Sequence, residues 1–266
     1  MTLNKKNIDF YRTEGVVLLK NIISKEWLKK LEKGIEKNFK EPSKYKCVYE
    51  KKGNKELFYD DYCNWQRINQ YKDFLFNSEI ANIASELMNS NKVNIFHEHV
   101  LIKESGAKKT TPWHQDQSYY CVEGHQNVSF WIPLDQIKKS NSPEFIAKSH
   151  RWTHNFLPTK FFGNDYEHID KNFEKIPDIE SNREKYNIVS YELNPGDLIA
   201  FNFATVHGAP GNKSLVRRRA FSARFTGDDA RYIKREGEMS PPFPGLTLKN
   251  GDIMDCETFP LVKNIT

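Results

Sequence analysis

The residues best suited to metal chemistry in this sequence are two histidines and one aspartate. His114 and Asp116 lie two positions apart in TPWHQDQSYY (111–120), and this spacing places both side chains on one face of a β-strand. Two ligands hold a metal poorly, so a third must come from elsewhere. His207 follows the apolar stretch DLIAFNF (197–203) and precedes a Gly/Pro turn. Two histidines and one carboxylate form the facial triad of non-haem Fe(II) oxygenases, which predicts an iron site here.

A second pair of histidines, in His97-Glu98-His99, also shares one face of a predicted strand. The glycine that usually precedes the His-x-His motif of cupins is absent, so we interpret these residues as a hydrogen-bonded pair beside the pocket. For His114 and Asp116, the alternative interpretation is a polar pair at a strand end. The presence of His207 and of a well-placed arginine favours the metal site.

An iron site that uses 2-oxoglutarate as co-substrate needs a cation for the far carboxylate of that acid. Arg218 lies eleven residues after His207, at the start of RRAFSARF. Its planar guanidinium can bind a carboxylate through two parallel hydrogen bonds. Arg218, Ser222 and Arg224 share one face of this predicted strand, so we expect the Ser222 hydroxyl to assist. Arg217 or Arg219, on the other face, is the alternative carboxylate partner.

Composition describes an ordinary soluble globular protein, with 38% hydrophobic and 28% charged residues among 266. No apolar run approaches the roughly 20 residues that span a bilayer, and the N-terminus has no apolar signal segment. The four cysteines are scattered, and the net charge of +5 comes without a basic run interleaved with aromatic residues. We therefore expect a cytoplasmic protein that binds neither nucleic acid nor membranes and acts on a small molecule.

Helical and strand patterns divide the chain. A helix is predicted after Ser24 and another from Ser78, and from about residue 93 the pattern changes to strands. This order indicates either an α+β arrangement or a β-barrel covered by helices. A polar segment at 153–186 is a candidate surface insertion or lid. The predicted strands are 95–103, 127–134, 187–193, 197–203 and 218–225.

Seven segments in order resemble the phytanoyl-CoA dioxygenase (PhyH-type) family of Fe(II)/2-oxoglutarate-dependent oxygenases. They span roughly residues 8–232 and read EGVVLLKN, HVLIKE, TPWHQD, NVSFWIPLD, KSHRW, LNPGDLIAFNFATVHGAPGN and RRRAFSARFTGDDARY. Ser142 and Lys148 depart from the pattern, because they replace glycines or similar small residues of the family.

The resemblance implies a mainly β fold with flanking helices around a double-stranded β-helix, the jelly-roll or cupin-like core. It implies a single domain over 1–266, with a helical part at 1–92, the core at about 93–235 and an extension at 236–266. The iron ligands would be His114, Asp116 and His207, with 2-oxoglutarate and O₂ as co-substrates. Arg218 would bind 2-oxoglutarate, and Trp131 and Lys103 would line the co-substrate pocket.

Our expectation about the substrate is based on Arg224. It lies six residues after Arg218 on the same predicted face, and a buried guanidinium needs either an internal acid or a bound anion. We expect it to bind an anionic group of the substrate, between aromatic walls from Tyr119, Tyr120 and Trp152. The expected reaction is hydroxylation of a small polar or anionic metabolite, with release of succinate and CO₂.

Two other functions are compatible with a jelly-roll. A halogenase on the same scaffold needs an open coordination position for halide, usually obtained by losing the carboxylate ligand, and Asp116 disfavours it. A non-catalytic binding or sensor protein would be free to lose the ligands and Arg218, and their presence disfavours that function.

Overall fold

The computed structural model describes residues 2–163 and 173–265. The central part of the segment 153–186, residues 164–172, lies outside these ranges, so the lid hypothesis for it falls partly outside the described residues. The helices are α1 Lys5–Glu14, α2 Lys25–Lys40, α3 Asn69–Asn77 and α4 Ile80–Met88. The first seven strands are β1 Val16–Leu19, β2 Cys47–Lys52, β3 Lys55–Tyr62, β4 Lys92–Lys103, β5 Thr111–His114, β6 Val122–Glu123 and β7 Asn127–Pro133. The others are β8 Glu144–Ile146, β9 Ile188–Val189, β10 Leu198–Phe201, β11 His207–Ala209, β12 Arg218–Thr226, β13 Arg231–Tyr232 and β14 Leu261–Asn264.

Two antiparallel sheets form the core. The large sheet has the order β1-β10-β7-β12-β4-β3-β2, with β14 also paired to β4, and the small sheet has the order β5-β11-β8-β9. Trp131 and Ser222 of the large sheet line the same cavity as His114, Phe145 and His207 of the small one. The two sheets therefore face each other, which confirms the predicted jelly-roll core.

The helices pack on the outer face of the large sheet. Helix α2 begins after Ser24, whose hydroxyl accepts a hydrogen bond from the Trp27 backbone N–H at 3.3 Å. Leu31 of α2 and Ile83 of α4 join the same buried cluster as Phe221, from the outer face of β12. Both predicted helices are therefore confirmed, as flanking elements that isolate the sheet from water. In the described ranges, no helix combines the length and apolar character that a membrane crossing requires.

The N-terminal part, expected to be helical, also supplies three strands of the large sheet. Strands β2 and β3 extend the sheet beyond β4. The sequence pattern did not predict β3, because the strand contains two consecutive acids, Asp60 and Asp61, and acidic residues are uncommon in strands. Asp61 is nevertheless buried, and it accepts hydrogen bonds from the Asn38 side chain at 2.8 Å and the Ser43 N–H at 2.7 Å. These bonds compensate for its burial.

Two turns follow local rules. Pro195 and Gly196, at the two central positions of Asn194–Asp197, are typical of a tight turn, and the Asp197 N–H donates to the Asn194 carbonyl at 3.0 Å with a Gly196 φ of 108°. Lys148 has a φ of 69°, in the left-handed region that favours glycine. This explains why the family pattern has small residues there. The strand predicted at 187–193 is reduced to β9, since only Ile188 and Val189 pair with β8.

Candidate active site

The three predicted metal ligands come together where the small sheet begins. His114 is the last residue of β5, Asp116 starts a short 3₁₀ turn, and His207 begins β11 directly opposite His114. The Asp116 Oδ1 lies 3.5 Å from the His114 Nε2 and 4.0 Å from the His207 Nε2. One ligand atom from each residue lies within 4.8 Å of the other two, and all three residues are buried. A single ion could therefore contact all three side chains.

The two imidazoles are oriented by backbone carbonyls. The His114 Nδ1 lies 2.7 Å from the Pro112 oxygen, and the His207 Nδ1 lies 2.9 Å from the Thr205 oxygen. Because a carbonyl only accepts, each Nδ1 donates and each Nε2 keeps its lone pair for a metal. Burial, followed by the neighbouring His114, lowers the pKa of His207 to about 3. The imidazole is therefore held in the neutral form that binds metal, and this donor set fits Fe(II).

Asp116 is surrounded by donors. The Tyr119 hydroxyl donates to its Oδ1 at 2.5 Å, and the Arg224 Nε lies 3.6 Å from its Oδ2. Burial would raise the pKa of Asp116, but the nearby charge of Arg224 holds it well below its usual range. Tyr119, expected as a substrate wall, thus also contacts a candidate metal ligand.

The position of Arg224 shows one partner for its buried charge. A buried guanidinium was expected to need an internal acid or a bound anion, and the acid is Asp116. Arg224 is 5% exposed and lies beside the Tyr120 ring, with its Cζ 5.9 Å from the ring centre. Asp116 therefore balances its charge, but the Arg224 Nε and Nη1 are buried without a hydrogen-bond partner in the described chain, so the anionic group on the substrate stays a prediction.

Two other buried cations lie close together at the start of β12. Arg218 and Lys103 are paired across β12 and β4, and both donate to the Pro210 carbonyl, at 3.3 and 3.0 Å. Arg218 also donates to the Asn141 carbonyl. Burial lowers the pKa of Arg218 to about 10 and that of Lys103 well below its usual value. Within the described chain neither forms an ion pair with a carboxylate, so the two cations form an uncompensated positive site.

Ser222 and Trp131 lie between these cations and the metal ligands. They are paired across β12 and β7, and both line the cavity of about 60 Å³ that contains the three candidate ligands. The buried Ser222 hydroxyl has no hydrogen-bond partner among the residues that the structure describes. Arg218, Lys103, Ser222 and Trp131 thus follow one face of the large sheet toward the metal ligands.

A larger cavity of about 330 Å³ adjoins the metal cavity, and His99, Tyr119 and Phe161 line both. The His99 Nε2 lies 2.7 Å from the Asp60 Oδ2, so His99 has a hydrogen-bond partner, as expected from the sequence. Sequence reasoning missed Asp60 and Phe161. Asp60 faces His99 only through the register of β3 against β4, which no local pattern reveals.

Trp152 is not part of either cavity, contrary to expectation. It directly follows the 3₁₀ turn at Ser149–Arg151. The Trp152 ring instead packs edge-on against Phe156, with ring centres 5.9 Å apart. Tyr120, by contrast, lines the larger cavity.

Comparisons with known proteins agree with this geometry. A family model described as "Phytanoyl-CoA dioxygenase (PhyH)" matches residues 11–220. A "Probable phytanoyl-CoA dioxygenase" of Caenorhabditis elegans is 23% identical over 249 residues, which cover 86% of this chain and 77% of the relative.

Two solved structures show the same fold at low identity. The non-heme alpha ketoglutarate dependent carbocyclase SnoK from nogalamycin biosynthesis has a TM-score of 0.80 and 20% identity, with 98% of this chain and 97% of that chain covered. EctD from S. alaskensis, crystallised with 2-oxoglutarate and 5-hydroxyectoine, has a TM-score of 0.70 and 18% identity, with 94% and 85% covered. At these identities the likeness concerns the fold alone.

Proposed function

Because the chain belongs to the phytanoyl-CoA dioxygenase family, whose members are 2-oxoglutarate-dependent non-haem iron dioxygenases, we propose that it hydroxylates a small polar metabolite. Fe(II), 2-oxoglutarate and O₂ are the cofactor and co-substrates, and succinate and CO₂ are released. The observation that carries the proposal is the buried group of His114, Asp116 and His207, with both Nε2 atoms directed to one point.

In this proposal His114, Asp116 and His207 hold the iron. Bound there, Fe(II) would supply the redox centre at which 2-oxoglutarate and O₂ react. The backbone carbonyls of Pro112 and Thr205 fix the two imidazoles in the tautomer that binds metal. The protein thereby fixes the ligand set before the metal arrives.

Arg218 and Lys103 are proposed to receive the far carboxylate of 2-oxoglutarate. Both are buried cations whose hydrogen-bond partners in the described chain are backbone carbonyls, and a carboxylate would replace these weak partners with charge-assisted hydrogen bonds. Ser222 would donate its free hydroxyl, and Trp131 would form a wall of the co-substrate pocket.

We also propose that residues 1–266 act as one domain. Strands β1, β2 and β3 of the N-terminal part and β14 of the C-terminal extension all belong to the large sheet. The parts at 1–92 and 236–266 therefore share a sheet with the core at about 93–235. A halogenase stays disfavoured because Asp116 belongs to the ligand group.

Iron-dependent succinate formation tests the proposal. The protein is reconstituted anaerobically with Fe(II), then given 2-oxoglutarate, air and candidate metabolites, and succinate is measured. We expect turnover that one metabolite stimulates, and that His207→Ala abolishes. His154→Ala is the matched control, because His154 is exposed, lies 2.9 Å from Glu174 and does not line the metal cavity. Equal succinate formation by the His207→Ala and wild-type proteins would contradict the proposal.

A further inference from the structure

The cavity of about 330 Å³ beside the metal cavity has the size of a small-ligand site. Pockets for small molecules range over roughly 300–1,000 Å³, so this one is at the lower end. It shares His99, Tyr119 and Phe161 with the metal cavity. A molecule bound there would lie next to the three candidate metal ligands.

Asp60 provides a buried acceptor in the wall of this cavity. Its Oδ2 accepts a hydrogen bond from the Tyr49 hydroxyl at 3.0 Å and lies 2.7 Å from the His99 Nε2. Its Oδ1 is buried and has no hydrogen-bond partner among the described residues, although Asp60 is only 2% exposed. A buried carboxylate oxygen is costly to leave without a donor, so this atom calls for a donor from a ligand.

His97 provides a second acceptor in the same wall. Its Nδ1 lies 3.2 Å from the Glu98 carbonyl oxygen and therefore donates to it, which leaves the Nε2 as an acceptor. Burial, followed by the nearby charge of Arg224, lowers the pKa of His97 well below its usual value, so the imidazole is neutral. The Nε2 is also buried and without a partner in the part of the chain that the structure describes.

The other walls of the cavity are aromatic. Tyr45 and Tyr62 are stacked with ring centres 5.0 Å apart, and Tyr49 packs against Phe161 at 5.3 Å. Flat aromatic walls favour ligands that contain a ring. Two of the three lysines in the wall are paired with acids, Lys46 with Glu56 at 2.6 Å and Lys160 with Glu238 at 2.7 Å, and the exposed Lys44 lies over the Tyr45 ring.

We propose that this cavity binds the substrate, and that the substrate is a small ring compound that donates hydrogen bonds to Asp60 and His97. The donors are hydroxyl or protonated amino groups, and no anionic group is required. This proposal rests on the proposed function and specifies the substrate class of the same site. Asp60 and His97 are residues that select and position the substrate, and they do not hold the metal.

Four small probes that share a benzene ring test the proposal by direct binding. Resorcinol offers two hydroxyl donors, and benzylamine offers a protonated amine. In contrast, 1,3-dimethoxybenzene offers only acceptors, and benzoate is an anion. Binding to the full-length protein loaded with Zn(II) and 2-oxoglutarate is measured by saturation-transfer NMR with titration. We expect resorcinol or benzylamine to bind about tenfold more tightly than the other two probes, because only donors satisfy the buried acceptors. The stronger of these two identifies the donor as hydroxyl or amine.

The Asp60→Asn variant tests whether the preference for hydrogen-bond donors arises in this cavity. The amide supplies its own donors, so the preference for resorcinol or benzylamine over 1,3-dimethoxybenzene should fall by about fivefold or more. Asp135→Asn is the matched control, because the Asp135 carboxylate pairs with Arg219 at 2.8 Å and does not line the cavity. This control should keep the wild-type preference. Circular dichroism and the thermal shift with 2-oxoglutarate show whether each variant is folded.

The binding of the four probes to the wild-type protein can by itself overturn the proposal. Benzoate or 1,3-dimethoxybenzene binding as tightly as both donor probes would do so, as would the failure of both donor probes to bind. An unchanged preference in folded Asp60→Asn protein would also overturn it. Because Zn(II) supports no turnover, a failure of iron-dependent succinate formation would contradict the proposed function separately.

Discussion

Replacing Arg218 with methionine tests whether this buried cation binds the anionic co-substrate. Burial lowers the pKa of Arg218 to about 10, and the difference from a free guanidinium corresponds to a cost of roughly 3 kcal/mol for keeping the charge. The hydrogen bonds to the carbonyls of Asn141 and Pro210 return about 1 kcal/mol each. The cost of burying the charge exceeds the gain from these two hydrogen bonds. We therefore expect Arg218→Met protein without 2-oxoglutarate to be at least as stable as wild type.

The effect on 2-oxoglutarate should be opposite in sign. Loss of a buried charge-paired partner costs about 2–5 kcal/mol of binding free energy, which weakens binding by roughly 30-fold to several thousand-fold. Urea unfolding of Zn(II)-loaded protein, with and without 2-oxoglutarate, measures both effects. Wild type should gain stability with 2-oxoglutarate, and Arg218→Met should gain almost none at the same concentration.

Arg217→Met is the matched control on the neighbouring residue. Its side chain is 48% exposed and pairs with Glu104 at 2.8 Å, so the change should alter 2-oxoglutarate binding little. Two results would refute the reasoning about Arg218. One is an Arg218→Met protein that 2-oxoglutarate stabilises as much as wild type. The other is a loss of stability in the absence of 2-oxoglutarate that exceeds the loss in Arg217→Met.

Three further predictions concern buried charges and ligands. His207→Ala should abolish Fe(II) binding in an anaerobic titration and His97→Ala should not, because only His207 belongs to the ligand group; retained binding by His207→Ala would contradict this. Burial raises the pKa of Glu98 from 4.5 to about 8, so its contribution to stability is complete below pH 4.5 and is lost as the pH rises to about 8. Between these pH values the free energy of unfolding of Glu98→Gln should therefore rise relative to that of wild type by up to ~1.4 kcal/mol per pH unit, as measured by urea unfolding. The same pH dependence of stability in both proteins would contradict this prediction. Arg224→Met should destabilise the metal-free protein by about 3–5 kcal/mol, because Asp116 loses the charge 3.6 Å away. Mn(II), which would replace that charge, should then stabilise this variant more than it stabilises wild type. Equal stabilisation of both proteins by Mn(II) would show that Arg224 does not balance the charge of Asp116.

Local patterns predicted much of the fold. The cap at Ser24, the helical spacing of α2 and the turn at Asn194–Asp197 depend on residues within a few positions, so the sequence alone was sufficient. The family resemblance, confirmed by the match over residues 11–220, supplied the jelly-roll that local patterns left open. The ligand triplet was also accessible, because a pair two positions apart and one histidine after a strand need little knowledge of tertiary structure.

Non-local contacts account for what was missed. The sequence indicated that Arg224 needs an acid or an anion, but the choice of Asp116 depends on how the 3₁₀ turn after β5 meets β12. Trp152 was misplaced because its ring packs against Phe156, a contact that no sequence pattern indicated. Asp60 escaped notice because the register of β3 against β4 brings it to His99. For Arg224 and Asp60 the deciding contact joins residues distant in sequence.

The two buried arginines of β12 lie near opposite ends of the strand. Arg218 and Arg224 point to the same face, yet six residues of extended strand separate them by roughly 20 Å, more than a single small acid can bridge. Arg224 is matched by Asp116, whereas Arg218 meets only carbonyls in the described chain. A free carboxylate is therefore expected at the Arg218 end. Substrate recognition then falls to the neighbouring strands β3 and β4, where the buried groups still lacking partners are acceptors, on Asp60 and His97.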